Sequence, residues 1–265
     1  MKYNFKLTVI TSTFNIGVEF SKTADSILNH KLDIQWIVCD GLSNDKSINI
    51  INEHKHIIDV FISEKDNGIY DAWNKSINYI KSDWVVFLGS GDVLIKENID
   101  LLLTNLKNTK SNIVIGNLLL YNKYGKFIKK TKNEYLEIKK FKNGTINKPV
   151  NPEVIYSANI FNEIQFSDNY TIAGDTDFYI KAINKGYTKE FIDLNISRMV
   201  LDGISSNPLK HRVALNEVKQ INIENNIVIP LYIKIVFEIK MKLKLLLYLI
   251  IGDNCFQMIR KLINK

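Results

Sequence analysis

The sequence has only two cysteines, four prolines and twelve glycines among its 265 residues. Cys39 falls inside a predicted buried strand and Cys255 in a terminal amphipathic tract. Neither a disulfide framework nor a zinc site fits, and a reducing compartment is expected. So little Gly and Pro gives no flexible linker, and no internal repeat is present. Long hydrophobic runs are missing too. The longest uninterrupted one in the C-terminal tract, Leu245 to Ile251, is far too short to cross a bilayer. Met1-Lys2-Tyr3-Asn4-Phe5 leads straight into a first strand without the apolar stretch and small-residue cleavage site of a secretory signal. The formal charge of +7 is not spread over the chain. From residue 226 to 265 there are seven Lys/Arg against two Asp/Glu, so the remainder is nearly balanced and a basic nucleic-acid groove is not expected. With 46% apolar residues, the chain suffices for one large domain, with or without an appendage.

Apolar runs at Leu7 to Thr13, Ile34 to Asp40, Val60 to Ser63 and Trp84 to Leu88 recur about every 25 residues. Between them lie helical patterns such as Phe20, Ala24, Ile27 and Leu28, or Ile69, Trp73, Ile77 and Ile80. This βαβαβαβ rhythm predicts a parallel sheet covered on both faces, with right-handed crossovers. After Asp92 the rhythm changes. Ile113 to Tyr121 reads as a long strand, followed by a Gly125 turn and the basic segment Lys126 to Lys132, an antiparallel hairpin.

Ligands in such sheets bind outside the carboxyl ends of the strands, so the residues there are the candidates. Thr11-Ser12-Thr13-Phe14-Asn15 could hold a flat base and a ribose, or simply cap a helix. Asp40 could accept a hydrogen from a nucleobase, or belong to an Asp-Gly turn. The segment Ser63 to Lys75 concentrates acids and amides at one helix start, where Asp66 could be an N-cap and Asp71 a dipole partner. Asp92, beside Gly89, Ser90 and Gly91, has no bulk to shield it and suits a divalent cation carrying phosphates. Asp175 opens a helix that closes at Gly186, and capping is its plainer reading.

Four of these segments together resemble the inverting family 2 glycosyltransferases of GT-A fold, in the bacterial branch that builds capsule, exopolysaccharide and lipopolysaccharide. They are Thr8 to Asn15, Val38 to Asp45, Asp66 to Lys75 and Phe87 to Asp92, in matching order and interval. The resemblance implies an α/β fold with a mixed central sheet and helices on both faces, in a catalytic domain over 1–225; the tail over 226–265 falls outside it. It implies that Asp40 reads the base of a nucleotide-sugar, flanked by Thr11, Phe14 and Asn15. Asp66, Gly68, Asp71 and Asn74 would line the ribose and diphosphate, Ser90 and Gly91 would adjoin them, Asp92 would hold Mn2+ or Mg2+, and Asp175 would be the catalytic base. The implied reaction moves a sugar, from a UDP-sugar by preference, onto a glycan or polyprenyl-linked acceptor by a single metal-assisted displacement. The implied location is the cytoplasm, at the inner face of the membrane.

The pattern also departs from the family. Gly89 and Gly91 stand where many relatives carry acids, which leaves Asp92 nearly alone; Asp177 competes with Asp175 for the base; and Asn151-Pro152-Glu153 replaces a segment that often holds a histidine. Ser205, Ser206 and His211 form a polar stretch that could close over the diphosphate. In the tail, Tyr232, Ile235, Val236, Ile239 and Leu243 alternate with lysines, which fits a basic helix on a membrane surface or one packed on the domain or a second subunit. Two rivals stand beside the transferase. A sugar nucleotidyltransferase would want a Gly-rich basic loop, which Thr11 to Gly17 does not provide, and an inactive nucleotide-binding scaffold would fit the depleted acidic motif.

Overall fold

The computed structural model describes residues 5–122, 124–131, 141–142, 145–146, 148–201 and 211–263. Its first half alternates β1 (Leu7–Thr13), α1 (Glu19–Ile27), β2 (Ile34–Asp40), α2 (Ser47–Glu53), β3 (Val60–Ser63), α3 (Ile69–Ile77) and β4 (Trp84–Gly89). The second half adds β5 (Val93–Leu94), α4 (Ile99–Asn108), β6 (Ile113–Tyr121), β7 (Phe127–Lys130), the short pair β8 (Phe141–Lys142) and β9 (Thr145–Ile146), and β10 (Val154–Ser157). It ends with α5 (Gly174–Asn184), β11 (Lys189–Val200), α6 (His211–Glu224) and α7 (Leu231–Ile263).

The main sheet runs β3-β2-β1-β4-β10-β6-β11-β5, with β7 paired to β6. β1 to β4 are parallel, and β10 enters antiparallel between β4 and β6. The expected mixed sheet is present, as is the hairpin of β6 and β7 about Gly125. β10 and β11 are not legible as strands in the sequence. β10 has four residues directly after the Asn151-Pro152-Glu153 turn, and both of its partners lie far away in sequence. The order of β2, β1 and β4 reverses direction beside β1, and this opens a crevice at the carboxyl ends of β1 and β4.

Every residue of β2 is buried because both faces are covered. Val9, Trp36, Val38 and Leu88 face α1, α2 and α4, whereas Ile10, Ile37 and Phe87 face α3 and α5. On the second face Phe166 lies 5.0 Å from Trp73, 5.2 Å from Phe87 and 4.3 Å from Phe178, measured between ring centroids. Each such aromatic pair adds about 0.5–1.5 kcal/mol beyond the area it buries. The cluster therefore fixes α3 and α5 against β4, and with them the loops that carry the candidate carboxylates. α3 turns its expected face inward through Trp73, Ile77 and, just past its end, Ile80, joined by buried Tyr70, Ala72 and Ser76, while Ile69 at its start is exposed. Leu28 likewise leaves the expected face of α1, because the chain exits there through a tight turn and exposes it.

Burial pushes the Cys39 thiol up to about 11. The thiolate is the reactive form, so Cys39 in the native protein is expected to resist iodoacetamide at pH 8 and to react only on unfolding, which peptide mapping by mass spectrometry would read.

Candidate active site

The candidate residues meet at the carboxyl ends of β1, β2, β3 and β4 and at the start of α5. Phe14 follows β1 and is 63% exposed, an aromatic ring left at the crevice. Asn15, at φ 51°, accepts the Asn44 N–H on its side chain (2.9 Å) and donates its own N–H to Ser43 Oγ (2.9 Å). These bonds tie the loops after β1 and β2 together. Gly41 makes that junction possible: a Cβ there would lie 2.6 Å from Asp66 Oδ2 and 3.4 Å from the Phe14 ring. Phe14, Gly41 and Asp66 are therefore in close contact.

Asp66 caps its own turn, accepting the Gly68 N–H at 3.0 Å, where Gly68 (φ 116°) leads into α3. Asp71 accepts the Asn67 N–H at 2.9 Å and lies 3.2 Å from Lys75 Nζ. Several expected binding residues also make hydrogen bonds within the protein. The Thr11 hydroxyl is buried and accepts the Trp36 indole N–H at 3.0 Å. Asn74 is bonded twice to the Phe166 backbone, donating to its carbonyl at 2.8 Å and accepting its N–H at 3.0 Å. Asp40 is fully buried and accepts from Ser43 N (3.0 Å), Ser43 Oγ (2.5 Å) and Ser63 Oγ (3.0 Å). Thr11, Asn74 and Asp40 thus carry these internal hydrogen bonds at the border of the crevice.

At the end of β4 the chain turns so that the Gly89 N–H donates to Asp92 Oδ2 at 3.0 Å. Thr23 of α1 fixes this turn by donating to the Asp92 carbonyl (2.7 Å) and accepting the Gly91 N–H (2.9 Å). Gly91 has φ +95°, a conformation L side chains rarely adopt, which accounts for the missing acid there. Desolvation by the surrounding protein pushes the Asp92 carboxyl up to about 7. Among the described residues no cluster of three His, Cys, Asp or Glu side chains stands ready for a metal. The residues nevertheless fit a cation that brings its own phosphate ligands. Asp92 is a desolvated carboxylate held by a backbone amide, and the Ser90 hydroxyl beside it is shielded without a hydrogen-bond partner. Thr13 Oγ1, on the neighbouring strand, is unpartnered in the same way, a feature that strand periodicity alone does not signal.

Asp175 lies in the first turn of α5, where the helix dipole favours an anion. It is paired with Lys148, and each side chain is 18% exposed. Lys148 gives no sign of this in the sequence, because it stands in a lysine-rich stretch with no motif of its own. Asp177 is fully buried, held by Lys181 (2.6 Å) and Asn225 (3.4 Å), and so faces away from solvent. Tyr70 joins the Asp66 segment to the start of α5. A Cβ on Gly174 would lie 2.7 Å from its ring, and burial raises the pKa of its hydroxyl far above the ordinary value. Glu153 is buried and accepts from Thr131 Oγ1 (2.5 Å) and Val150 N–H (2.8 Å), so its role is to hold the fold. Ser205 and Ser206 lie outside the described residues, as does the His211 side chain.

Residues 8–168 match the model of the family described as glycosyl transferase family 2. Over 117 residues the chain is 30% identical to the poly(ribitol-phosphate) β-N-acetylglucosaminyltransferase TarP of Staphylococcus aureus, covering 42% of this chain and 36% of that protein. The match thus spans about a third of the relative's length. The fold is similar to that of S. aureus TarS in complex with UDP-GlcNAc, with a TM-score of 0.65, 16% identity and coverage of 82% of this chain and 66% of the other. It is also similar to the mannosyltransferase PcManGT of Pyrobaculum calidifontis in complex with GDP-Man and Mn2+, with a TM-score of 0.62, 12% identity and coverage of 92% and 70%. The architecture is the GT-A fold expected from the motifs.

Proposed function

The chain belongs to glycosyl transferase family 2, and from that premise we propose that it transfers a sugar from a UDP-sugar to a glycan or polyprenyl-linked acceptor with inversion, in bacterial surface polysaccharide synthesis. The observation that carries the reading is the pairing of two orphan hydroxyls, Thr13 and Ser90, with the desolvated Asp92 at the ends of adjacent strands. Such buried polar groups ask for a ligand rich in charge and acceptors, as a nucleoside diphosphate is.

In the proposed reaction an acceptor hydroxyl oxygen attacks the anomeric carbon. Its proton passes to the Asp175 carboxylate, and the bond from that carbon to the phosphate oxygen breaks with its electron pair leaving on the nucleoside diphosphate. Lys148 holds the Asp175 carboxylate in place before substrate arrives. Phe14 offers a face for the base, and the Asp66 turn borders it. Asp92, with Ser90 beside it, would hold the divalent cation, which when bound supplies Lewis-acid stabilisation of charge on the leaving diphosphate.

UDP is favoured because the structural relative TarS was captured with UDP-GlcNAc, and GDP is the competing donor because PcManGT was captured with GDP-Man and Mn2+. A thermal-shift screen with UDP, GDP, dTDP, CMP and ATP, each with and without Mn2+, tests this. Ligand at a hundredfold excess over its Kd adds about 2.7 kcal/mol, a rise of roughly 5–10 °C for a chain of this size. One nucleoside diphosphate that shifts the melting point only with Mn2+ is the expected result, and no shift with any nucleotide would overturn the nucleotide-sugar reading.

The proposed site of action is the inner membrane face, through α7. Leu231, Ile235, Ile239, Leu246 and Ile250 lie along one exposed face of the helix, with exposed Lys242 among them and exposed Lys240 to one side. The opposite Phe237 and Met241 are partly buried, and Lys219 of α6 meets Glu238 at 2.7 Å. Among the described residues no helix is long and apolar enough to cross a membrane. The protein is expected to float with phosphatidylglycerol vesicles, and Ile235→Ser with Ile239→Ser to release it. Absence of vesicle binding in the parent would turn that face toward a second subunit.

A further inference from the structure

Glu217 of α6 is 8% exposed, and its carboxylate is saturated by the loop that leads into α5. Oε1 accepts from Thr171 N–H (2.8 Å) and Thr171 Oγ1 (2.7 Å), and Oε2 from Ile172 N–H (2.9 Å) and Ala173 N–H (2.8 Å). A carboxylate has about four acceptor sites, so none is left over. Three successive backbone amides converging on one anion form a nest, and here the anion is a side chain of the protein itself. Ala173 is the residue from which α5 starts, and Asp175 is two residues further on. Directly before the nest, Tyr170 donates to Glu224 at 2.7 Å. The conformation that launches α5 is thus imposed from α6.

We propose that Glu217 is a positioning residue for Asp175, setting the first turn of α5 so that the carboxylate meets the acceptor hydroxyl. This rests on the reading of Asp175 as the base. A general base acts only within hydrogen-bond reach of its proton. Release of the nest would let α5 begin elsewhere and swing Asp175 away, while the donor site, built on the loops after β1 to β4, would keep its geometry.

The test compares Glu217→Gln, Glu224→Gln and Asp175→Asn in the full chain. The amide introduced by Glu217→Gln would turn an N–H toward backbone groups that need an acceptor and would free half the nest. The expected result for Glu217→Gln is a fall in kcat of about 10- to 100-fold, with donor KM changed by less than about twofold and faster hydrogen exchange at residues 171–173. Glu224→Gln, which leaves the nest intact, is expected to retain kcat within about twofold. Full kcat in Glu217→Gln beside an inactive Asp175→Asn would overturn the positioning role alone. An active Asp175→Asn would overturn the reading beneath it. Equal losses in both glutamate variants, matching their loss of folded protein, would reduce Glu217 to a stabilising contact and also overturn the proposal. Should Glu217→Gln fail to fold, Thr171→Val removes one of the four bonds from an exposed residue, and unchanged kcat there would count against the proposal as well.

Discussion

Asp175→Asn is expected to lower kcat by about 10²–10⁴-fold, the usual worth of a positioned general base. Donor affinity should remain, because Asp175 stands on α5, apart from the loops after β1 to β4. Asparagine is nearly isosteric but cannot take the proton of the acceptor hydroxyl, and it leaves Lys148 without its ionic partner. Single-turnover assays with the donor identified by the thermal screen would separate the two effects, and an unchanged rate would place the base elsewhere. Asp177 is a poor substitute, since its carboxylate is fully buried and bound to Lys181 and Asn225.

Asp92→Asn is expected to act in the opposite sense on stability and on turnover. The amide oxygen can still accept the Gly89 N–H, but the desolvated charge disappears. Removing it should raise the melting temperature, by about 2–4 °C for each kcal/mol relieved in a chain of this size. Activity should fall by about a thousandfold or more, since stabilising the departing diphosphate is worth several kcal/mol. The Mn2+-dependent part of the nucleotide shift should vanish as well. A variant that melts higher and still shows that shift would remove Asp92 from the cation site. A site residue that costs the fold stability is what a stability–activity trade-off leaves behind.

The first half of the fold can be read from the sequence with little error, because β1, β2 and β3 are apolar runs whose bounds are set by their own composition. The second half is harder. β10 is too short to show a period, and β11 carries register shifts between Phe191 and Ser197 that break the alternation. The candidate site is partly visible. Asp92, Asp66 and Phe14 stand at the crevice where strand-end reasoning puts them. Thr11, Asn74 and Asp40 occupy the same motifs yet are engaged within the protein. Lys148 and Glu217 carry no local signal, since their importance lies in Asp175 and in the amides of 171–173, 27 and more than 40 positions away.

The sequence by itself determined the parallel half-sheet, the polar turns at its carboxyl edge and the kinds of side chain standing there, because strand burial and turn chemistry depend on neighbours within a few residues. Only the tertiary structure decided which of those side chains remain free. The Trp36 indole that occupies Thr11 comes from 25 residues away, and the Phe166 backbone that holds Asn74 from 92. A buried polar group takes whatever partner the fold brings within about 3 Å, and which partner that is depends on the packing of the whole chain.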